Sequence, residues 1–400
     1  MTDGDLSALK RFILDKTEGN PFFMEEIVQE LREQGMLTVR GHGRAPLPQD
    51  IRLPTTVQGI LAARMDRLPP DEKALLQTLA VIGREFSASL LKKVVAQPEA
   101  ELYGQLAHLQ AAEFIYEQPA FPDVEYIFKH ALTQEVAYNS LLQERRKVLH
   151  ERAARAIEEV YRYKLDDRYS DLAHHYSRSD NTQKAVDYLQ LAGQQAVQRS
   201  ANVEAITQLT TALELLTALP DTPERTQQEL DLQITLGPAL IAAKGYAAPE
   251  TAAVYTRAHR LCQQLGETAQ LFSVLAGLWG FYVSRPEHKA AYELGEQLLT
   301  LAGSRQDTTW LVEAHWTLGL SFFCRGELSA ARTHLERSIA LDESKEHRAP
   351  AFLYGHDPVM SSFCFVSLAL WHLGYPEQAL QKSRAAVAFA REVSHPYSQA

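Results

Sequence analysis

"GELSAARTHLERSIAL", residues 326–341, decides the fold. Ala331, Leu335 and Ser338 place a small residue, a large one four positions on and a second small one three later, all on one helical face. Small residues on a shared face let two helices approach closely, which is the role of the second helix of a tetratricopeptide repeat. The preceding stretch "HWTLGLSFFCRGE" supplies Leu318, Gly319 and Phe322, the marks of a first helix, and Gly326 ends it. Three other segments carry the same second-helix pattern: Ala185/Leu189/Ala192, Ala205/Leu209/Ala212 and Ala379/Ser383/Ala386. The intervals are irregular, 20 residues from Ala185 to Ala205 and 48 from Gly326 to Gly374. A degenerate superhelix is therefore predicted over residues 166–400, without a strict period of roughly 34 residues.

Upstream of 166 the pattern changes. "TTVQGILAARMDRL" is stopped by Pro69 and Pro70, "DEKALLQTLAVIG" ends on Gly83, and "SASLLKKVV" and "PEAELYGQLAHLQAA" follow as short helices. "EFIYE" and "VEYIF" flank the Pro-rich turn "QPAFPD", a β-hairpin signal. A long helical stretch begins at His130 and is expected to break near Gln143. Several helices and one hairpin outline a winged-helix-like domain at 46–165. "GHGRAPLPQD", 41–50, reads as a linker. Before it, "LSALKRFILDK" and "PFFMEEIVQELREQ" predict two helices, with Thr17 as a candidate cap and Pro21 in the first turn of the second. In that second helix Phe23, Ile27, Val28 and Leu31 form the apolar stripe, and Glu25, Glu26, Glu30 and Arg32 are expected to face solvent. The fold class is mostly α.

The chain has 400 residues, 46% hydrophobic and 22% charged, with a net charge of −10. That length accommodates two or three domains. The acidic balance and the lack of a basic block argue against a nucleic-acid or anionic-membrane surface as the main partner. Cys262, Cys324 and Cys364 fit neither a zinc knuckle nor a disulfide framework, which points to a reducing, cytoplasmic setting. The N-terminus is acidic where a signal peptide is positive, and no stretch has the roughly 18 apolar residues of a membrane span.

No Gly is followed by Lys, so a phosphate-cradling P-loop is absent from this sequence. GxSxG, HExxH and CxxC are absent as well, and no catalytic residues are assigned. His174 and His175 are adjacent on a helix, point in different directions and read as packed or solvated rather than as metal ligands, so no metal site is assigned. Asp166 and Asp167 read as a helix start, and Trp279, Trp316 and Trp371 as core or groove lining.

"EGNPFFMEEIVQEL", "LPTTVQGILAARMDRLPPDEKALLQTLAVIGREF", "FKHALTQEVAYNSLLQERRKVLHERAARAIE" and "LGYPEQAL" together resemble the signal-transduction ATPases with numerous domains (STAND). Within them, the chain is similar to the bacterial branch in which an adenylate/guanylate cyclase domain precedes an AAA-like ATPase module and a tetratricopeptide tail. The resemblance implies three parts: a helical lid remnant at 1–45, the winged-helix-like domain at 46–165 and the repeats at 166–400. It implies that the Gly-x-Pro turn, here Gly19 and Pro21, packs its proline by the adenine of a bound nucleotide. It also implies that His130 of "FKHAL" reaches the β-phosphate of ADP, with Ala131 standing where many relatives have Asp. The phosphate loop, the Mg²⁺-binding strand and the cyclase domain are missing, so on this resemblance the chain begins inside the ATPase module. ATP or ADP is then expected to bind only with the missing core.

The leading expectation is a non-catalytic regulatory and protein-interaction module whose concave repeat face takes a protein partner or small effector. Oligomerisation is left to the full-length parent. One alternative is a part of an ATP-binding cyclase or ATPase whose catalytic domains lie outside this chain. The other is a winged-helix DNA-binding regulator, disfavoured because residues 46–165 carry 15 Lys+Arg against 16 Asp+Glu, a net of −1.

Overall fold

The structure is a computed structural model that describes residues 3–33, 54–120, 123–266, 269–285, 287–341 and 357–393. The expected linker at 41–50 lies outside the described residues, as do Gly35 and part of the 118–123 turn. The molecule is mostly helical with one small sheet, and it divides into two compact units, Met1–Asn181 and Thr182–Ala400.

The first unit opens with α1 (Asp3–Thr17) and α2 (Pro21–Glu33). Thr17 does not cap α2: it closes α1, with its hydroxyl donating to the Ile13 carbonyl at 2.8 Å. The cap is Asn20, whose Oδ1 accepts from the Phe23 amide at 3.1 Å. Glu18 and Gly19 take φ of 51° and 79° to reverse the chain between the helices. A Cβ on Gly19 would meet nothing within 4 Å, so it is the left-handed backbone that calls for glycine there. Leu9, Ile13, Phe23, Ile27 and Leu31 share a core with Ile60 of α3 (Val57–Asp66). Thr56 caps α3, accepting from Gly59.

α4 (Pro70–Ile82) ends at Gly83 as its sequence predicts, and α5 (Ala88–Val95) and α6 (Glu99–Ala111) follow. The predicted hairpin forms from β2 (Ile115–Gln118) and β3 (Glu125–Phe128). A third strand, β1 (Glu85–Ser87), pairs antiparallel on the other edge of β3, Phe86 opposite Tyr126, giving the order β1-β3-β2. The expected break is real: α7 (Ala131–Asn139) stops before α8 (Gln143–Val160). After a 3₁₀ turn at Leu165–Arg168, α9 (Tyr169–Tyr176) packs on α8, so residues 166–181 belong to this compact unit.

The second unit contains α10 (Thr182–Gln198), α11 (Asn202–Leu216), α12 (Pro223–Lys244), α13 (Pro249–Leu265), α14 (Leu271–Val283), α15 (His288–Arg305), α16 (Thr308–Cys324), α17 (Leu328–Leu341), α18 (Pro358–His372) and α19 (Pro376–Val393). Each helix packs on its sequence neighbours. α10 also touches α12, α12 touches α14, α14 touches α16, and α16 touches α18. Contact with the next helix and the next but one is the pattern of a tetratricopeptide-like array.

Ala205, Ala212, Ala331 and Ser338, with Leu209 and Leu335 between them, are all fully buried as their spacing predicts, whereas Ser383 of the last segment is exposed. Their targets are glycines. A Cβ on Gly193 would lie 2.6 Å from the Leu209 side chain, and one on Gly319 would lie 2.6 Å from Leu335. The leucine follows its glycine by sixteen positions in both pairs, so α10 is a first helix, like α16. That corrects its reading as a second helix. The second-helix alanines were recognised because both members of a tight pair need small residues. A larger version of the device holds α12, α13 and α14 together: Tyr255 fills the space where Cβ atoms of Gly237 and Gly277 would stand, 2.4 and 2.2 Å away. All four tryptophans, Trp279, Trp310, Trp316 and Trp371, lie in this unit. Trp279 and Trp316 are core, whereas Trp371 is 64% exposed, which rules out the core half of its expected place.

Candidate functional site

The sequence-predicted site residues all lie in the first unit. Gly19 and Pro21 are exposed at the α1–α2 turn, and His130 is half-buried as the N-cap residue of α7, two positions beyond β3. Although 109 positions separate Pro21 from His130, the structure brings their neighbourhoods together through Phe22. Its ring centroid lies 3.9 Å from that of the His130 imidazole, at an interplanar angle of 44°. The Nε2 atom of His130 is buried without a hydrogen-bond partner. His130 does not use its side chain to cap α7.

The placement of α2 on this surface is electrostatic as well as apolar. Glu26 and Glu30, expected to face solvent, are 1% exposed. Arg64 of α3 pairs with Glu26 and, at 2.8 Å, with Glu33. Arg67 pairs with Glu30 and, at 3.1 Å, with Glu33. Arg64 also donates to the Ala112 carbonyl at 2.6 Å and lies 4.8 Å over the Phe114 ring. Burial raises the Glu26 carboxyl above its usual range even though Arg64 pulls the other way. Next to His130, Lys129 bonds Glu25 of α2 and Glu113 at 2.6 Å each. Burial opposes the Lys129 charge, but these two carboxylates outweigh it and raise its pKa. The Lys129 bond holds Glu113 below the ordinary carboxylate range. Four carboxylates on α2 therefore meet three cations on the elements around it. Val28, expected in the apolar stripe, is 38% exposed because the buried face turns toward Glu26 and Glu30 instead.

Sequence reasoning missed a second polar cluster. His175, buried in α9, faces His150 of α8 with their Nδ1 atoms 3.0 Å apart, and Tyr138 Oη lies 3.0 Å from His150 Nε2. In the His150–His175 bond one Nδ1 donates and the other, unprotonated, accepts, so at least one ring is neutral. Burial first, then nearby cations, brings both histidines down to about 3. Among the described residues no group of three or more His, Cys, Asp or Glu is placed to hold a metal ion. The spacing of 25 positions between His150 and His175 was the available signal, and it has no motif to announce it.

No family model matches the chain. An uncharacterized protein of Rhizobium meliloti (strain 1021) is 22% identical over 406 residues, covering 98% of this chain. The chain spans 38% of that relative's length. Among solved structures, a STAND protein with a tetratricopeptide repeat sensor from Pyrococcus horikoshii aligns at a TM-score of 0.39 and 11% identity, over 100% of this chain and 65% of that one. Aspartyl phosphate phosphatase F from Bacillus subtilis aligns at 0.43 and 12%, over 87% of this chain and 78% of that one. The fold assignment rests on the helix pairing described above. No described helix is long and apolar enough to cross a membrane.

Proposed function

We propose that the chain is a non-catalytic regulatory and protein-interaction module of a signal-transduction ATPase. In this reading α1 and α2 are the lid remnant, the elements from α3 to α8 are the winged-helix-like domain, and the helices from α10 onward offer a concave face to a protein partner or small effector. The observation that carries it is the close, tilted contact of Phe22 with His130, which sets the Gly19–Pro21 turn beside the one histidine with a free buried nitrogen in this unit's described residues. An imidazole nitrogen in that position can donate to a phosphate oxygen while the proline turn meets the base. ATP and ADP bind appreciably only when a nucleotide-binding core supplies the phosphate loop.

The test is a protein in which the chain is joined to such a core. His130→Ala should then shorten retention of ADP more than that of ATP, measured by release of labelled nucleotide, and the isolated chain should bind ADP poorly. Equal retention of ADP with and without His130 would remove the sensing role. Cross-linking of a partner to α16–α19 residues would test the repeat half separately.

A further inference from the structure

We propose that the pocket between α4, α7, α8 and α9 is a binding site for a small organic dianion, a phosphate monoester being the type case. The site is separate from the Phe22–His130 contact and goes beyond the function proposed above. It is a cavity of about 470 Å³ lined among others by Val81, Arg84, Gln134, Tyr138, His150 and Arg178. That volume suits a small ligand rather than a bare ion.

Two arginines line it without a carboxylate partner among the described residues. Arg178 bonds the His174 ring and carbonyl, at 3.1 Å each. Arg146 lies 4.6 Å from the Tyr138 ring and bonds the Asn139 carbonyl, and its Nε is buried with no partner. Arg84 makes no ion pair among the described residues. Arg84 and Arg178, both exposed, thus bring two unpaired guanidiniums to one cavity in a chain of net charge −10. The one carboxylate in its lining is Glu135, exposed on the rim.

The histidines do not relieve this field. His150 bonds Tyr138 and His175, and His174 takes the Arg178 bond. A dianion would supply the missing charge to planar, multidentate donors. Val81 and Ala80 give its organic part an apolar wall.

The experiment is isothermal titration of the full chain at pH 7.5 with glycerol 3-phosphate and, separately, inorganic phosphate. The expected result is saturable binding of the ester and weaker binding of inorganic phosphate. Arg178→Gln should weaken the ester at least tenfold and Arg84→Gln several-fold, while Lys73→Gln, outside the cavity, leaves it unchanged. Arg84 is exposed, so its variant keeps the test open if Arg178→Gln fails to fold. Absence of saturable binding, or equal loss in Lys73→Gln, would overturn the proposal. Equal affinity for both probes would overturn the organic part of it.

Discussion

At the α2–α3 contact two arginines meet three glutamates, whereas at the α16–α17 contact Leu335 lies where Gly319 has no side chain. Both contacts are buried and both fix one helix on another, yet they tolerate change in different ways. The charged contact tolerates exchange of the whole set and not the loss of one member, because a lone buried charge must give up water for nothing. The glycine contact tolerates no addition, because the leucine already occupies the volume.

The sharpest way to break the comparison is at Arg64. Arg64→Ala leaves Glu26 buried and unpaired and should cost about 3–5 kcal/mol, read by urea unfolding with amide exchange rising in α1–α3. Removing both charges together, as Arg64→Met with Glu26→Leu, should recover most of that loss. A double variant as unstable as the single one would show that packing, not charge, holds α2. In the repeats, Ala331→Leu should cost about 1–3 kcal/mol by overpacking and speed exchange in α16–α18 while leaving α1–α3 alone.

Acid sharpens the comparison further. His150 and His175 sit near 3 in the fold against an ordinary 6.5, so between those values the unfolded chain binds more protons. Stability from this chain of bonds is whole above pH 6.5 and is lost as pH falls toward 3. In the second unit His315, bonded to His334 at 3.1 Å between Nδ1 atoms, is brought by burial to about 4, which gives the same sign over a narrower window. Amide exchange at pH 5 should accelerate more in α8 and α9 than in α16 and α17. The smallest effect belongs to Gly19→Ala, which strains a left-handed backbone without meeting any neighbour and should cost about 1 kcal/mol in thermal unfolding.

The same contrast governs what could be read from the sequence. Helix pairing in the repeats is periodic, so Ala331, Leu335 and Ser338 disclose their face, and the helix ends at Gly83, Gly326 and Gly374 disclose themselves through backbone chemistry. Position in the pair was less legible, and α10 was misplaced because its alanines mimic a second helix; Gly193, sixteen positions before Leu209, was the better guide. β1 has three residues, too short for any alternation to appear. Glu26 and Glu30 look solvent-facing because their partners, Arg64 and Arg67, lie 38 and 37 positions away on another helix. The turn at Gly19–Pro21 and His130 are singled out by resemblance alone, whereas Phe22, whose ring lies against the His130 imidazole, carries no signal of its own in the sequence.

The confinement of every tryptophan to Thr182–Ala400 gives the molecule a built-in optical label. Light absorbed only by indole excites the second unit and leaves the first dark, so fluorescence would follow the second unit alone during denaturation while far-UV circular dichroism follows the helices of both. Within the bright half the label is graded: Trp279 donates to Ser321 at 2.9 Å in the core and should emit toward the blue, while Trp371, largely in solvent, should emit toward the red and yield to iodide quenching. Anything that settles on the α18–α19 surface would register first as a loss of that red, quenchable component, with no dye attached.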